Sequence, residues 1–189
     1  MDSQTNHTDH RQATRSRGLT LLELLITLTI AVILATVAIP ALHTLIMSNR
    51  MSTQLSEWLT TLQAARSQAI SHQQHLVMCP STDQNACVSS TVWQNGWMIF
   101  ADRNLNQQHD RDESVSRVNN TTLTDMSIMS SNGRQRIVFQ ADGSAGGSNT
   151  TLTFCDARGA AQARAIIIAV NGRPRLASTR SDGTALSCP

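Results

Sequence analysis

Arg173 and Arg175, in the run Asn171-Gly172-Arg173-Pro174-Arg175, have a type and spacing that can do chemistry. A guanidinium binds phosphate or carboxylate bidentately. Two residues apart in extended backbone, the pair faces one side at roughly 6.7 Å. A nucleic-acid strand presents a phosphate about every 3.4 Å of axis, so such a pair can grip nearby phosphates. Gly172 leaves room for close backbone approach. Pro174 removes an N–H and confines the segment to a sheet edge or loop. Arg180 follows in the same tail, and Arg134, Arg136, Arg158 and Arg164 extend the basic set. From Arg117 onward eight arginines face four aspartates, a balance of +4, whereas Asp102 to Glu113 alone carries −2. All fifteen basic residues of the chain are arginine. On the residues alone, a solvated turn is the simpler reading of 171–175 and a phosphate grip the sharper one.

The acidic loop between Asp102 and Glu113 offers a second chemistry. Asp102, Asn104, Asn106, Asp110 and Glu113 fall at positions one, three, five, nine and twelve of a calcium loop. The glycine needed at position six is Gln107, and the flanks read as strands, so a solvated hairpin loop is expected. His72 and His75 have no Cys or carboxylate placed with them, and no metal is expected. The sequence holds no nucleophile motif, P-loop or dinucleotide fingerprint. Neither an enzymatic activity nor a cofactor is expected.

The elements that would carry these residues follow from hydropathy. Leu19 to Ile39 is a run of 21 residues with one charge, Glu23. As a helix it is roughly 31 Å long, about one hydrocarbon core. Arg15 and Arg17 at its N-terminal flank keep that side cytoplasmic. Pro40, lacking an N–H, is expected to kink or locally melt the helix. Beyond it Met51, Leu55, Trp58, Leu62, Ala65 and Ala69 recur at spacings of three and four, which extends one helix to about Ser71. Trp58 is expected in the core. The runs "HLVMC", "TVWQNGWMIFA", "RIVFQA", "TLTFC" and "ARAIIIAV" then read as short strands separated by turn-rich pieces. Alternation places Trp93, Trp97 and Ile99 on one strand face, read as core. The fold class is α+β: a lollipop with a long N-terminal helix, membrane-spanning in its first half, packed on an antiparallel β-sheet domain.

Four cysteines, Cys79, Cys87, Cys155 and Cys188, all lie beyond the apolar run and form no CxxC. If that run exports the rest of the chain, they lie in an oxidising compartment. Of the three connectivities, Cys79–Cys87 and Cys155–Cys188 are expected. The first closes a short local loop, and the second ties the last residues to an internal strand.

Gly18 before the apolar run, Glu23 five residues later and Pro40 resemble the N-terminus of type IV pilin-like proteins. Leu19 stands where that family usually has Phe. "VMCP", "WQNGWMIFAD", "FQADGSA" and "TLTFCD" are similar to the GspH/FimT family of minor pilins and pseudopilins. Gly172-Arg173-Pro174-Arg175 resembles the Gly-Arg-x-Arg motif of its FimT-type members, which bind DNA for uptake in natural transformation. The resemblance implies a cleaved leader (1–18), a hydrophobic assembly helix (19–46) and a globular pilin domain (47–189). That domain comprises an amphipathic helix (47–71) and a β-sheet (74–189). It implies cleavage after Gly18 by a prepilin peptidase, methylation of Leu19 and pairing of Glu23 with a neighbouring subunit's N-terminal amine. A membrane-embedded carboxylate is costly unless paired. The implied location is the bacterial inner membrane, single-pass with the globular domain periplasmic, and the surface pilus after assembly with other pilins. The implied DNA contacts are Gly172, Arg173, Arg175, Arg180, Arg134 and Arg136. The other role the resemblance allows is a tip or priming subunit, in a pilus or a type II secretion pseudopilus, without DNA binding. Mass spectrometry of the native protein should find a chain beginning at a methylated Leu19. A start beyond Pro40, or retention of the first eighteen residues, would overturn this reading.

Overall fold

The computed structural model describes residues 20–189; Gly18 and Leu19 of the expected processing site, and the leader, lie outside the described residues. The chain divides into two compact units, with the boundary between Leu45 and Ile46. Helix α1, Leu21–His72, runs from the first into the second.

In the first unit α1 is apolar on every face, with a mean hydropathy of 2.5 over its most apolar window. Its threonine hydroxyls bond inward. The hydroxyls of Thr27, Thr29 and Thr36 donate to the carbonyls of Leu24, Leu25 and Ile33 at 2.7–2.9 Å. That arrangement suits hydrocarbon, where no water is available to a free hydroxyl. Thr20 Oγ1 accepts from the backbone N–H of Glu23 at 3.2 Å, an N-terminal cap. The local melting expected at Pro40 does not occur: α1 is continuous through it. Proline removes a single helical donor, the one that would reach the Thr36 carbonyl, and the helix runs on either side of it.

In the second unit α1 buries Met51, Leu55, Trp58, Leu62, Ala65 and Ala69, the stripe that the spacing predicts. Eight strands follow: β1 Leu76–Pro80, β2 Trp97–Ala101, β3 Val115–Asn119, β4 Met126–Ser130, β5 Ile137–Phe139, β6 Thr150–Asp156, β7 Arg164–Ile168 and β8 Pro174–Ala177. They form two four-stranded sheets, β3-β2-β1-β5 and β4-β6-β7-β8. Every pairing is antiparallel.

One core lies between the helix stripe and both sheets. It takes Leu76, Met78, Ile99 and Phe139 from the first sheet and Ile128, Leu152, Phe154 and Ile166 from the second. The Trp58 ring sits 5.7 Å from Trp97, 6.0 Å from Trp93 and 5.8 Å from Phe154, at tilted or edge-on angles that aromatic quadrupoles favour. Trp93 departs from the expected strand. It precedes a tight turn closed by the Gly96 N–H on its carbonyl, and its own N–H donates to Ile128 of β4. Its side chain nevertheless joins Trp97 and Ile99 in the same core.

Part of the outer face of each sheet is covered by a segment tethered through a disulfide. Cys79–Cys87 holds a loop near Val77, Met98, Phe100 and Val138. Cys155–Cys188 holds the C-terminal tail, and Leu186 packs on Ala163 and Ala165. Both expected pairings are present. The second closes a loop of 33 residues, for which chain entropy alone predicts about 3–4 kcal/mol of stabilisation. Cys155→Ser/Cys188→Ser should therefore lower the unfolding free energy in guanidinium by about that amount. It should also expose the last ten or so residues to limited proteolysis.

Candidate nucleic-acid interface

Strand β8 is the edge of the second sheet, where Pro174 sits opposite Ile168. Edge placement tolerates the missing proline N–H. Arg175 lies opposite Ile167, and Ile167 opposite Thr151. Ile166 and Ile168 point into the helix core. By alternation, Ile167, Thr151 and Arg175 therefore share the outer face. A groove of about 430 Å³ opens on that face, lined by Arg175, Arg134, Ser131, Thr151, Ile167 and Ser181.

Arg134 reaches the groove from the turn after β4, where its N–H donates to Ser131 at 2.9 Å and its guanidinium bonds the Gly147 carbonyl. It also lines a neighbouring cavity of about 510 Å³ with Arg136. Arg136 donates from Nε to Gln107 at 3.0 Å and from Nη1 to Gln135 at 3.2 Å. Burial pushes its guanidinium below the ordinary arginine range. Arg180 sits on a small hairpin bridged between Thr179 and Ala185, and bonds Ser187 Oγ at 2.6 Å. It lines a third hollow of about 250 Å³ that shares Ser131 and Thr151 with the groove. Arg173 is exposed directly ahead of β8, its N–H bonded to Asn171 Oδ1 at 3.1 Å, and is not among the residues lining the groove. The structure thus joins Arg134 to Arg175 and to Arg136, sets Arg180 at an adjoining hollow, and leaves Arg173 on the rim.

No ion pair is made at these positions among the described residues, though Asp182, held below the usual aspartate range by the Thr184 hydroxyl and N–H, also feels the charge of Arg180. Among the described residues the ion pairs are Arg50–Asp125 and Arg158–Asp156. None of Arg134, Arg136, Arg173, Arg175 and Arg180 has a described carboxylate within 4.0 Å. Arg158 leaves the basic set that the sequence defines. Its guanidinium lies on Asp156 at 2.6 Å and on Ser48, and it holds the Asp156 carboxyl below the usual aspartate range. Arg158 is therefore a structural cation, not a free one.

The acidic loop 102–113 is closed by its own hydrogen bonds. Asp102 accepts from the N–H groups of Asn106 and Gln107 at 3.1 and 3.0 Å. Glu113 accepts from Arg103 and Asp110 at 2.8 and 3.1 Å. Asp110 accepts from the side-chain amides of Asn104 and Asn106. No cluster of three or more His, Cys, Asp or Glu suited to a metal occurs among the described residues.

Gly172 has a close backbone neighbour, and it belongs to the protein itself. With φ +71°, a Cβ built there would stand 1.9 Å from the Gly143 carbonyl oxygen, which also accepts from Arg66 Nε at 2.9 Å. The turn carrying Arg173 is thus seated against the 142–143 turn. The pairing of Gly172 with Gly143 and Arg66 has no local signal in sequence, since 29 to 106 residues separate the partners. The floor residues Ser131, Thr151 and Ser181 depend on the register of β4, β6 and β7 and are equally silent.

Residues 54–172 match the family described as type II transport protein GspH, and residues 13–39 match the prokaryotic N-terminal methylation motif. The first match ends one residue before Arg173. No curated protein is detectably similar in sequence. Two crystal forms of the type IV minor pilin FimU of Pseudomonas aeruginosa share the fold. One is 20% identical with a TM-score of 0.54, covering 73% of this chain and 99% of that one. The other is 19% identical with a TM-score of 0.55, covering 75% and 96%.

Gly172→Ala should destabilise the protein by about 2–4 kcal/mol, since it adds a backbone clash to an unfavourable φ. Gly183→Ala, at φ +84° with nothing within 4 Å of its Cβ, should cost only about 1–2 kcal/mol. Thermal unfolding of both variants checks the difference.

Proposed function

The chain belongs to the GspH family, and on that premise we propose that it is a minor type IV pilin that grips DNA without sequence preference for uptake in natural transformation. Arg173 and Arg175 are the principal contacts, with Arg180, Arg134 and Arg136 extending them. The observation that carries this reading is the set of five arginines outside any described ion pair: Arg175, Arg134 and Arg180 line adjoining hollows at the second sheet, and Arg136 joins Arg134 at a cavity beside β5 of the first. The mechanism is phosphate neutralisation with release of condensed counterions. The chain's Trp and Phe side chains are all in the interior, so base stacking contributes nothing. Contacts of this kind position a duplex without reading it.

The N-terminal part supplies the anchor. The methylation motif supports cleavage after Gly18, methylation of Leu19, and Glu23 pairing with the amine of a neighbouring subunit. Before assembly the apolar half of α1 sits in the bacterial inner membrane with the second unit in the periplasm. Afterwards it packs with the helices of other pilins. A second reading is favoured by the fold likeness to FimU and by the family's name: a tip or priming subunit of a pilus or type II secretion pseudopilus, touching only other subunits.

Gel-shift titration of the detergent-solubilised full chain with mixed-sequence duplex separates the two. Arg173→Gln/Arg175→Gln should weaken binding about tenfold and flatten the slope of log K against log salt by about 2. A double variant that shifts DNA as well as wild type removes these residues as the site. A wild-type protein that shifts none favours the assembly reading.

A further inference from the structure

The cavity beneath the 102–113 loop has features that a charged surface alone does not require. It holds about 510 Å³, and two arginines, Arg134 and Arg136, face it together with His75, Gln107 and Gln140. Each guanidinium is fixed by the backbone: Arg134 by the Gly147 carbonyl, Arg136 by those of Gln107 and Gln135. A guanidinium has five N–H donors. Those bonds use one on Arg134 and two on Arg136, and no other protein acceptor engages the rest among the described residues. The one carboxylate in the lining, Asp102, accepts backbone N–H groups with both of its oxygens. It is therefore turned to the loop, not to the arginines. A partly buried cation with no counter-charge is costly, and burial already weakens the hold of Arg136 on its proton. An anion in the cavity would relieve that cost and meet two forks already held in place.

We propose that this cavity binds a single phosphate group, held by Arg134 and Arg136. The phosphate comes from one of two sources, free inorganic phosphate or the terminal phosphate of a DNA strand. Only the second rests on the DNA reading above. The volume admits a phosphate with its attached sugar. A clamp on the loop is the competing role for Arg136, since its Nε bond holds Gln107 at φ +58°. Arg134 makes no bond to that loop.

Calorimetry of the detergent-solubilised full chain with inorganic phosphate, against chloride at matched ionic strength, tests the site. Saturable binding is expected, weakened about tenfold by Arg134→Gln and by Arg136→Gln and unchanged by Arg117→Gln on the exposed strand β3. Should Arg136→Gln not fold, Arg134→Gln carries the test. Tighter binding of a 5′-phosphorylated short duplex than of its 5′-hydroxyl twin assigns the source to strand ends. Equal duplex binding with saturable inorganic phosphate assigns it to the free ion. The proposal is overturned if phosphate gives no saturable heat beyond chloride, or if both variants bind it as wild type does. Phosphate binding by a protein that shifts no DNA would leave this site standing while the DNA reading falls.

Discussion

The globular unit depends on Trp58. Its side chain is 3% exposed and touches aromatic rings from both sheets: Trp97 of the first, Phe154 of the second, and Trp93 just before β2. The helix stripe around Trp58 lies in one core with the inner faces of both sheets. Truncation of a fully buried tryptophan usually costs about 3–5 kcal/mol. Here the loss would fall on the seam between two sheets, not within one. The position of β8, and of every arginine read from the second sheet, is set through that seam.

The periodic elements were legible in the sequence, and the reason is physical. The stripe from Met51 to Ala69 meets one surface for its whole length, so its pattern is uninterrupted. The apolar runs that became β1, β2, β5, β6 and β7 are buried on one or both faces. β3 was not legible, because Val115, Ser116, Arg117 and Val118 are all exposed and no alternation is imposed. β4, Met126–Ser130, alternates over only five residues and is rich in serine. β8 hides behind a turn signal, Asn171-Gly172, and begins at proline. The division into two sheets is a matter of long-range pairing that no local window contains.

The site divides along the same line. Which residues are basic could be read from the chain, and of the three cysteine connectivities it allows the favoured one is formed. Which arginines remain available could not be read. Arg158 has one local hint, Asp156 two residues before it, and is locked to that carboxylate, whereas Arg164 bonds only the Ala163 carbonyl. Gly172 shows the converse. A glycine beside two arginines invites a functional reading, and the fold gives it a packing duty against Gly143. Family membership rests on 54–172, so the arginine pair is a feature of this chain that the family match does not itself carry.

The tether from Cys155 to Cys188 also bears on Arg180. Leu186 packs on the second sheet next to Cys188, whereas the hairpin bearing Arg180 follows directly on β8. In a compartment that keeps thiols reduced, the sheet can form while its lid stays loose. The hollow shared by Arg180 and Ser187 would then be unfinished. The covalent hold on the tail thus also fixes Ser187, the partner of Arg180, in that hollow.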